Sequence, residues 1–185
     1  FYVRAKAFES IETTSIYGGN DLAILFGTAE DDIFTASYET AAMTNGTLTR
    51  AATGYKHVVG RAAGGYDIAR LQDSPGRDEF RGRSHKSTFR SLKDDALDVT
   101  VRAFDEVHAE AVHGGVDIGK MHDTPGDDHL VATGNTASLY RKDGVDLDLL
   151  YELINFEFVK VYWTTGTDTK DVTPPLDFEL FEEFL

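Results

Sequence analysis

Cysteine is absent from the 185-residue sequence, proline occurs only four times, and basic residues are few. The absence of cysteine leaves the compartment open, because cytosolic proteins and large extracellular bacterial proteins both fold without disulfides. The 18 Lys and Arg residues against 32 Asp and Glu residues give a net charge of −14. This balance argues against nucleic acid or an anionic membrane surface as a partner, since both bind basic surfaces.

Long apolar runs are also missing. No stretch is long and apolar enough to cross a membrane as a helix, and no signal peptide is recognisable, so we expect no membrane insertion. The sequence begins at Phe1 without a methionine. We therefore expect it to be a mature fragment, or a segment trimmed from a longer protein.

One motif occurs several times along the chain. Each full copy begins with Gly-Gly-x-Asp, continues with alternating apolar residues, and ends on Asp-x-Phe or Asp-x-Leu. The full copies occupy residues 18–34, 64–80 and 114–130, and a shortened copy contains Gly166-Thr-Asp168. Aromatic residues precede the copies at Phe8, Tyr55, Phe104 and Phe156. An internal period of about 50 residues is typical of solenoids and repeat arrays.

Within a repeat, hydrophobicity alternates with a period of two. Val107, Ala109 and Ala111 fall on one face, and polar residues occupy the positions between them. Gly-Gly, Ser-Pro-Gly, Thr-Pro-Gly and Asn-Gly separate such runs, as turns separate strands. The third repeat therefore predicts five strands, at 104–112, 116–122, 128–132, 136–141 and 145–154.

These features predict an all-β fold, a right-handed parallel β-helix (β-solenoid) with about two rungs in each repeat. The solenoid would cover residues 1–172, with repeats at about 8–54, 55–103 and 104–155 and a partial repeat at 156–172. Stacked rungs place equivalent positions above one another. We therefore expect Asp21, Asp67 and Asp117 along one line, and the recurring aromatic residues in one inward stack. A cadherin-like or Greek-key sandwich is the alternative interpretation.

The C-terminal segment, residues 173–185, differs from the repeats. Pro174 and Pro175 end the repetitive region, and Phe178, Phe181 and Leu185 follow at helical spacing. We expect a short cap over the strand edges and core at the end of the solenoid, because native proteins cover such edges. Docking to another chain is the alternative role of this segment.

The repeat pattern resembles the repeats of very large secreted or surface proteins of environmental bacteria, which are loosely grouped with the calcium-binding RTX proteins. The pattern is Phe-Asp-x-Val-x-Ala-x-Ala-x-x-Gly-Gly-x-Asp-x-Ala-x-Leu-x-Asp-Ser/Thr-Pro-Gly-x-Asp, and the resemblance extends from Phe8 to about Asp171. It implies an extracellular β-solenoid. True RTX repeats have Gly-Gly-x-Gly-x-Asp roughly every nine residues. Because the third glycine and the short period are missing here, the resemblance does not imply a calcium-loaded β-roll.

Aspartates at the turns are candidate ligands for Ca²⁺, which takes about six to eight oxygen ligands. The candidates are Asp21, Asp67, Asp73, Asp78, Asp117, Asp123, Asp127 and Asp128. The alternative is that these side chains close the turns by accepting hydrogen bonds from backbone N–H groups. The copies also differ, since the first has Gly27 at the position of Asp73.

A basic stretch is a candidate binding site for an anionic polysaccharide. It contains Arg81, Arg83, His85 and Lys86, and the alternative is a solvated turn that offsets the acidic surface. Lys56, His57 and Arg61 form a second cluster with the residue types that polysaccharide lyases use. The longest irregular stretches, 81–99 and 133–148, are where a cleft would lie.

Histidines are dense in the third repeat, at His108, His113, His122 and His129. They are either ligands of a transition metal or solvated and turn residues, and no cysteine or fixed ligand spacing accompanies them.

The sequence contains no nucleophile elbow, P-loop, dinucleotide fingerprint or zinc signature. We therefore expect a non-enzymatic repeat segment of an extracellular or cell-surface protein, serving as a scaffold, matrix or adhesive stalk. Its expected partners are further repeats of a longer chain, other copies, or polysaccharide, and its expected cofactor is Ca²⁺ or none. The alternative is a carbohydrate-active β-helix of the lyase or epimerase kind, or a module that binds anionic glycans.

Overall fold

The computed structural model describes residues 9–17, 19–93 and 96–185. Over these residues the chain is a β-solenoid of about four turns without any helix, so the predicted all-β solenoid is confirmed. Within the same ranges, no helix is present that could cross a membrane.

Eighteen strands lie within the described ranges, and the five strands predicted for the third repeat correspond to β11 to β15. In chain order the strands are β1 (Ser10–Thr14), β2 (Leu22–Phe26), β3 (Ile33–Ala36), β4 (Thr40–Thr44), β5 (Thr49–Thr53), β6 (His57–Arg61), β7 (Ile68–Gln72), β8 (Asp78–Gly82), β9 (Lys86–Ser91), β10 (Asp98–Arg102), β11 (Glu106–Glu110), β12 (Ile118–His122), β13 (Asp128–Gly134), β14 (Thr136–Asp143), β15 (Asp146–Ile154), β16 (Phe158–Trp163), β17 (Thr169–Leu176) and β18 (Glu179–Phe184).

The strands form two sheets around one core. The ten-stranded sheet A has the order β1-β5-β4-β3-β7-β11-β15-β14-β13-β17, and the eight-stranded sheet B has the order β18-β16-β12-β8-β9-β10-β6-β2. Consecutive strands alternate between the sheets, except where three strands form an antiparallel meander within one sheet. These meanders are β3–β5, β8–β10 and β13–β15.

One repeat consists of a strand in one sheet, a strand in the other sheet, and a meander back in the first. The first repeat, β1 to β5, begins in sheet A, the second, β6 to β10, begins in sheet B, and the third, β11 to β15, begins in sheet A again. Because the chain crosses between the sheets an odd number of times per repeat, each repeat is turned over relative to the one before it.

This alternation contradicts the expected alignment of Asp21, Asp67 and Asp117 along one line. Asp21 and Asp117 directly precede β2 and β12 of sheet B, whereas Asp67 directly precedes β7 of sheet A. Equivalent positions therefore return to the same sheet only in every second repeat. If each repeat crossed between the sheets an even number of times, the three aspartates would lie along one line as expected.

The number of turns per repeat also differs from the prediction of two rungs. Phe34 pairs with Ala69, and Ala69 pairs with Val107, so parallel neighbours come from consecutive turns. Each repeat crosses between the sheets three times, so it completes fewer than the two turns that were predicted. The prediction treated all five strands as sides of rungs, but three of them lie side by side in a meander.

The two stretches that were expected to be irregular contain meander strands. Residues 86–91 and 98–102 form β9 and β10, and residues 136–143 form β14. Residues 94 and 95, in the first stretch, lie outside the described residues. Among the described residues, short turns connect β8 to β9, β13 to β14 and β14 to β15.

The core contains the inward side chains of both sheets, which confirms the alternation read from the sequence. Phe34, Phe80 and Phe89 are completely buried, and the rings of Phe80 and Phe89 meet edge to face with centroids 6.0 Å apart. The remaining fully buried large side chains are Met43, Leu71, Leu97, Met121, Leu130, Leu139, Leu153, Val99 and Val101.

The recurring aromatic residues point inward, as predicted, but they do not share one stack. The ring centroid of Phe104 lies 5.9 Å from that of Phe34, and that of Phe156 lies 5.8 Å from that of Phe89. Phe104 is at a crossing from sheet B to sheet A, and Phe156 is at a crossing in the opposite direction, so the turned-over repeats separate them. Tyr55 also packs against the core. Phe8 and Gly18 lie outside the described residues.

The C-terminal segment forms strands, and its predicted helical spacing is wrong. β17 is the last strand of sheet A and contains Pro174 and Pro175, which an edge strand tolerates because one side of it needs no N–H donors. β18 pairs in parallel with β16, as β10 pairs with β6 in the second repeat. Hydrogen bonding to β16 therefore outweighs the helical pattern of a short segment. The two strands occupy the end of both sheets, where the cap was expected.

Consecutive turns approach most closely at the second glycine of the Gly-Gly motif. Gly115 forms a parallel bridge with Gly76, and a Cβ atom on Gly115 would lie 1.4 Å from the carbonyl oxygen of Gly76. Its φ of +149° also disfavours a side chain. Gly166 and Gly126 repeat this contact one repeat later, at 2.1 Å. The motif therefore needs glycine for the close contact between turns.

We expect the substitution Gly115→Ala to lower the free energy of unfolding by more than about 2 kcal/mol, because the methyl group would force two turns apart. Gly144→Ala is the matched control, since its φ is +63° but no atom lies within 4 Å of the added Cβ. This control is expected to lose about 1 kcal/mol from backbone strain alone. Urea denaturation followed by circular dichroism measures both, and equal losses would contradict the role of the close contact.

Candidate metal centres at the turns

A Ser or Thr and an Asp four residues later close the same turn in each full repeat. The Asp32 carboxylate accepts hydrogen bonds from the backbone N–H and the hydroxyl of Thr28, at 2.5 and 2.9 Å. The Asp128 carboxylate accepts the equivalent bonds from Thr124, at 2.9 and 2.8 Å. Asp78 and Ser74 repeat the arrangement in the second repeat. Turn closure by side chains, the alternative interpretation of these aspartates, is therefore present.

The backbone N–H of each of these aspartates bonds to the Gly-Gly-x-Asp carboxylate of the next repeat. Asp32 donates to Asp67 at 2.8 Å, Asp78 donates to Asp117 at 2.8 Å, and Asp128 donates to Asp168 at 2.9 Å. We call these three hydrogen bonds the repeat joints. They give the motif aspartate a structural role in the second, third and fourth copies.

The acidic residue after the recurring aromatic residue continues this pattern. Asp105 accepts a hydrogen bond from the backbone N–H of Asp67 at 2.7 Å, and Glu157 accepts one from Asp117 at 2.7 Å. Asp67 and Asp117 therefore each accept a hydrogen bond from the repeat before and donate one to the repeat after.

A third carboxylate lies at the same turn in the second and third repeats. Asp73 accepts hydrogen bonds from the backbone N–H groups of Val112 and His113, at 2.9 and 3.0 Å. Asp123 accepts bonds from the N–H and the hydroxyl of Thr164, at 2.6 and 2.8 Å. The first repeat has Gly27 at this position, so it lacks the third carboxylate.

In the part of the chain that the structure describes, the turns thus gather carboxylates into two clusters of three. Cluster 1 contains Asp73, Asp78 and Asp117, and cluster 2 contains Asp123, Asp128 and Asp168. In each cluster, one oxygen from every residue lies within 4.8 Å of the others. Asp73, Asp78, Asp117 and Asp128 are completely buried. An all-oxygen donor set of this kind suits a hard divalent cation.

One carboxylate oxygen in each cluster is buried without a hydrogen-bond partner. These atoms are Oδ2 of Asp117 and Oδ1 of Asp128, and Oδ1 of Asp32 is in the same state in the first repeat. A buried carboxylate oxygen without a partner is costly unless it binds a proton or a cation.

The surroundings of the clusters raise the pKa of Asp117 in cluster 1 and of Asp128 in cluster 2. Burial raises the pKa of Asp117 to about 6, with further contributions from the charges of Asp73, Asp78 and Glu157, against the N–H of Asp78. Burial likewise raises the pKa of Asp128 to about 6, against the hydrogen bonds from Thr124. The ionised clusters are therefore destabilising near neutral pH unless a positive charge compensates them.

Basic side chains compensate the clusters only in part. The His113 imidazole bonds to Asp73 in cluster 1, with 2.9 Å between Nδ1 and Oδ1. Arg141 lies opposite Asp128 in the β13–β14 register, but it forms its ion pair with Asp148, at 2.8 Å. The clusters thus keep an excess of negative charge.

Of the eight predicted calcium ligands, five lie in the clusters and three do not. Asp73, Asp78, Asp117, Asp123 and Asp128 are the five. Asp67 lies beside Asp32 in the first repeat joint, without a third carboxylate. Asp21 accepts a bond from the Ser15 hydroxyl at 2.7 Å, and Asp127 accepts one from the N–H of Thr167 at 2.7 Å. Asp168 was not among the predicted ligands, although it is the motif aspartate of the shortened fourth copy.

Of the predicted basic residues, Arg83, His85 and Lys86 line one small pocket. Arg81 is on the outer face of β8, with its guanidinium 2.8 Å from Glu79, while Arg83 and His85 lie in the β8–β9 turn and Lys86 begins β9. His57 bonds to Asp98 at 2.7 Å, and Arg61 stacks over the ring of Phe26 at 5.7 Å. Lys56 precedes β6.

The four histidines also have separate partners. His108 bonds to Glu152 and Glu106, at 2.8 and 3.0 Å, and His113 bonds to Asp73. His122 stacks on Tyr162, and His129 bonds to Thr169 at 2.8 Å. They do not come together as ligands of one transition metal.

Comparison of the chain with protein-family models, with curated protein sequences and with solved structures found no match.

The raised pKa of Asp117 predicts a specific pH dependence, measured in EDTA. Its folded-state value of about 6 exceeds the ordinary 3.8, so the ionised group costs stability above pH 6, and this cost disappears as the pH falls towards 3.8. Asp117→Asn should therefore be more stable than the wild type at neutral pH, by at most about 3 kcal/mol. The difference should shrink on acidification.

Urea denaturation across this pH range measures that difference. Asp146→Asn, which changes an exposed aspartate at the start of β15, is the control and should show no such trend. A difference between the wild type and Asp117→Asn that is independent of pH would contradict the prediction.

Proposed function

We propose that the chain is a non-enzymatic repeat segment of an extracellular or cell-surface protein, serving as a scaffold, matrix or adhesive stalk. The observation that carries this proposal is the series of repeat joints, in which each repeat bonds through its motif carboxylate to the one before. Most of the acidic residues that would be candidates for chemistry are used in joining the repeats. The extracellular location rests on the resemblance of the repeat pattern to those of large bacterial surface proteins.

The repeat joints support a load-transmitting role. They recur at three places along the solenoid, and each is at least partly buried, where water competes poorly for a hydrogen bond to a carboxylate. A chain that continues the pattern would extend both sheets by adding repeats. Further repeats of a longer chain, or other copies, are the partners this arrangement suits.

An open groove lies on the outer face of sheet A, and its charge argues against an acidic substrate. The groove has a volume of about 610 Å³ and is lined in part by Arg70, His108, Glu110 and Glu152. His108 lies between two glutamates, so the carboxylates outnumber the basic groups there. A lyase or epimerase for acidic glycans needs the opposite balance, since it must neutralise the substrate's carboxylate.

Force spectroscopy tests the scaffold role. We expect the 185-residue chain, pulled from its ends, to unfold in steps that correspond to repeats. Asp67→Ala removes one repeat joint and should lower the force of one step, because the Asp32 N–H loses its buried acceptor.

Asp146→Ala, at an exposed position in β15, is the matched control and should leave all steps unchanged. A single step whose force is insensitive to Asp67→Ala would contradict the proposal. So would release of reducing ends from a panel of acidic and neutral polysaccharides.

A second candidate function is binding of an anionic glycan to the outer face of sheet B. Lys120 pairs in register with Arg81 on one side and with Lys160 on the other, so three cations lie in a row across β8, β12 and β16. Glu79 forms ion pairs with two of these three cations, with Arg81 at 2.8 Å and with Lys120 at 2.5 Å. His122 and Tyr162 stack beside this row with ring centroids 4.5 Å apart, and such a flat surface suits a sugar ring. Of the basic residues predicted for this role, Arg81 belongs to the row.

Binding of heparin, measured by isothermal titration calorimetry at low salt with neutral dextran as the reference, tests this candidate. Lys160→Ala should weaken heparin binding roughly fivefold, because one charged contact is lost. Lys142→Ala, on an exposed part of β14 in sheet A, is the control and should bind like the wild type. Equal effects of the two substitutions, or equal binding of dextran, would contradict this candidate.

A further inference from the structure

We propose that clusters 1 and 2 each bind one Ca²⁺ ion, and that each ion links two successive repeats. Cluster 1 takes Asp73 and Asp78 from the second repeat and Asp117 from the third. Cluster 2 takes Asp123 and Asp128 from the third repeat and Asp168 from the shortened fourth. This inference deepens the proposed scaffold function, but the geometry that carries it does not depend on that function.

The spacing of the carboxylates fits one shared ion in each cluster. Ca²⁺ binds oxygen at about 2.3–2.6 Å, so two ligands of one ion are at most about 5 Å apart. The ligand oxygens of each cluster all lie within 4.8 Å of one another. Small side-chain rotations are enough to bring three such oxygens into the first coordination sphere.

The unpartnered oxygens are an independent indication of a ligand. Oδ1 of Asp117 accepts the repeat joint from Asp78, while Oδ2 of the same completely buried group has no partner. In cluster 2 the unpartnered atom is Oδ1 of Asp128, whose other oxygen accepts two bonds from Thr124. An ion between the carboxylates would satisfy these atoms and compensate the charge of the cluster.

The backbone prepares the clusters for an ion. The Asp73 and Asp123 carboxylates are held by N–H groups of the following turn, and the Asp117 and Asp168 carboxylates are held by the repeat joints. The carboxylates therefore come together before any ion binds, which lowers the cost of binding. Waters and the nearby hydroxyls of Ser74 and Thr124 are available for the remaining positions of a six- to eight-coordinate ion.

The first repeat provides an internal comparison within the chain. Asp32 and Asp67 meet at the first repeat joint in the same way, but Gly27 replaces the third carboxylate. Two carboxylates bind Ca²⁺ less tightly than three, because affinity follows the charge of the site. We therefore expect two ions per chain, not three.

Isothermal titration of the EDTA-stripped, dialysed chain with CaCl₂ at pH 7.5 tests the proposal. The wild type should bind two ions, Asp117→Asn and Asp168→Asn should each bind one, and the double variant should bind none. Asn retains the acceptor oxygen for the repeat joint while removing the charge. Asp21→Asn is the matched control, because Asp21 belongs to the same motif but lies outside both clusters, and it should still bind two ions.

Thermal melts in EDTA and in excess Ca²⁺ provide a second readout that does not depend on heat signals. The Ca²⁺-induced rise in Tm should be halved in each single variant and absent in the double variant. Melts in EDTA also show whether the variants fold, and Asp73→Asn replaces Asp117→Asn if the latter does not.

Two results would overturn the proposal: a wild type that binds no Ca²⁺ at millimolar concentration, or a double variant that still binds two ions. Either result would leave the stepwise unfolding under force unaffected, so the scaffold function is tested separately. Loss of the force steps with retention of Ca²⁺ binding would overturn the scaffold function alone.

Discussion

The hydrogen bond from the turn aspartate of one repeat to the motif carboxylate of the next is the interaction on which the architecture depends. It recurs as Asp32 to Asp67, Asp78 to Asp117 and Asp128 to Asp168, at 2.8 to 2.9 Å. It forms where the Gly-Gly motif lets two turns approach at backbone distance, as Gly115 and Gly76 do. A donor on one repeat and an acceptor on the next make each repeat incomplete without its neighbours, which is the physical basis of a stacked array.

The odd number of crossings in each repeat determines where these joints lie. Because every repeat is turned over, the joint after the first repeat involves the start of β7 in sheet A, and the joint after the second involves the start of β12 in sheet B. Both sheets are therefore held by the same chemistry. Each meander adds three strands to the sheet in which its repeat began. Because successive repeats begin in alternate sheets, both sheets gain strands along the chain.

The joints have a cost, because they concentrate carboxylates in the interior. Burial raises the pKa of Asp117 and of Asp128 to about 6, and one oxygen on each has no partner. Asparagine at these positions would preserve the backbone hydrogen bond without the charge. A cation bound in each cluster would compensate the charge of its three carboxyl groups. Such an ion would also strengthen the repeat joint that lies in the cluster.

The sequence by itself determined the strands, the turns and the repeating unit, because a period of two and Gly-rich turns are local properties of the chain. Five of the eight predicted metal ligands lie in the two clusters. They could be predicted because each turn, such as the one with Asp73 and Asp78, is formed by residues that are close together in the sequence. The alternation of sheets was decided only by the tertiary structure, since it depends on which strands fold back as meanders, and all five strands of a repeat look alike in hydrophobicity. For that reason Asp21, Asp67 and Asp117 do not align, Asp168 joins a cluster, and the helical spacing after Pro175 gives way to pairing with β16. These outcomes depend on partners that are about 20 to 40 residues away in the chain, beyond the reach of local patterns.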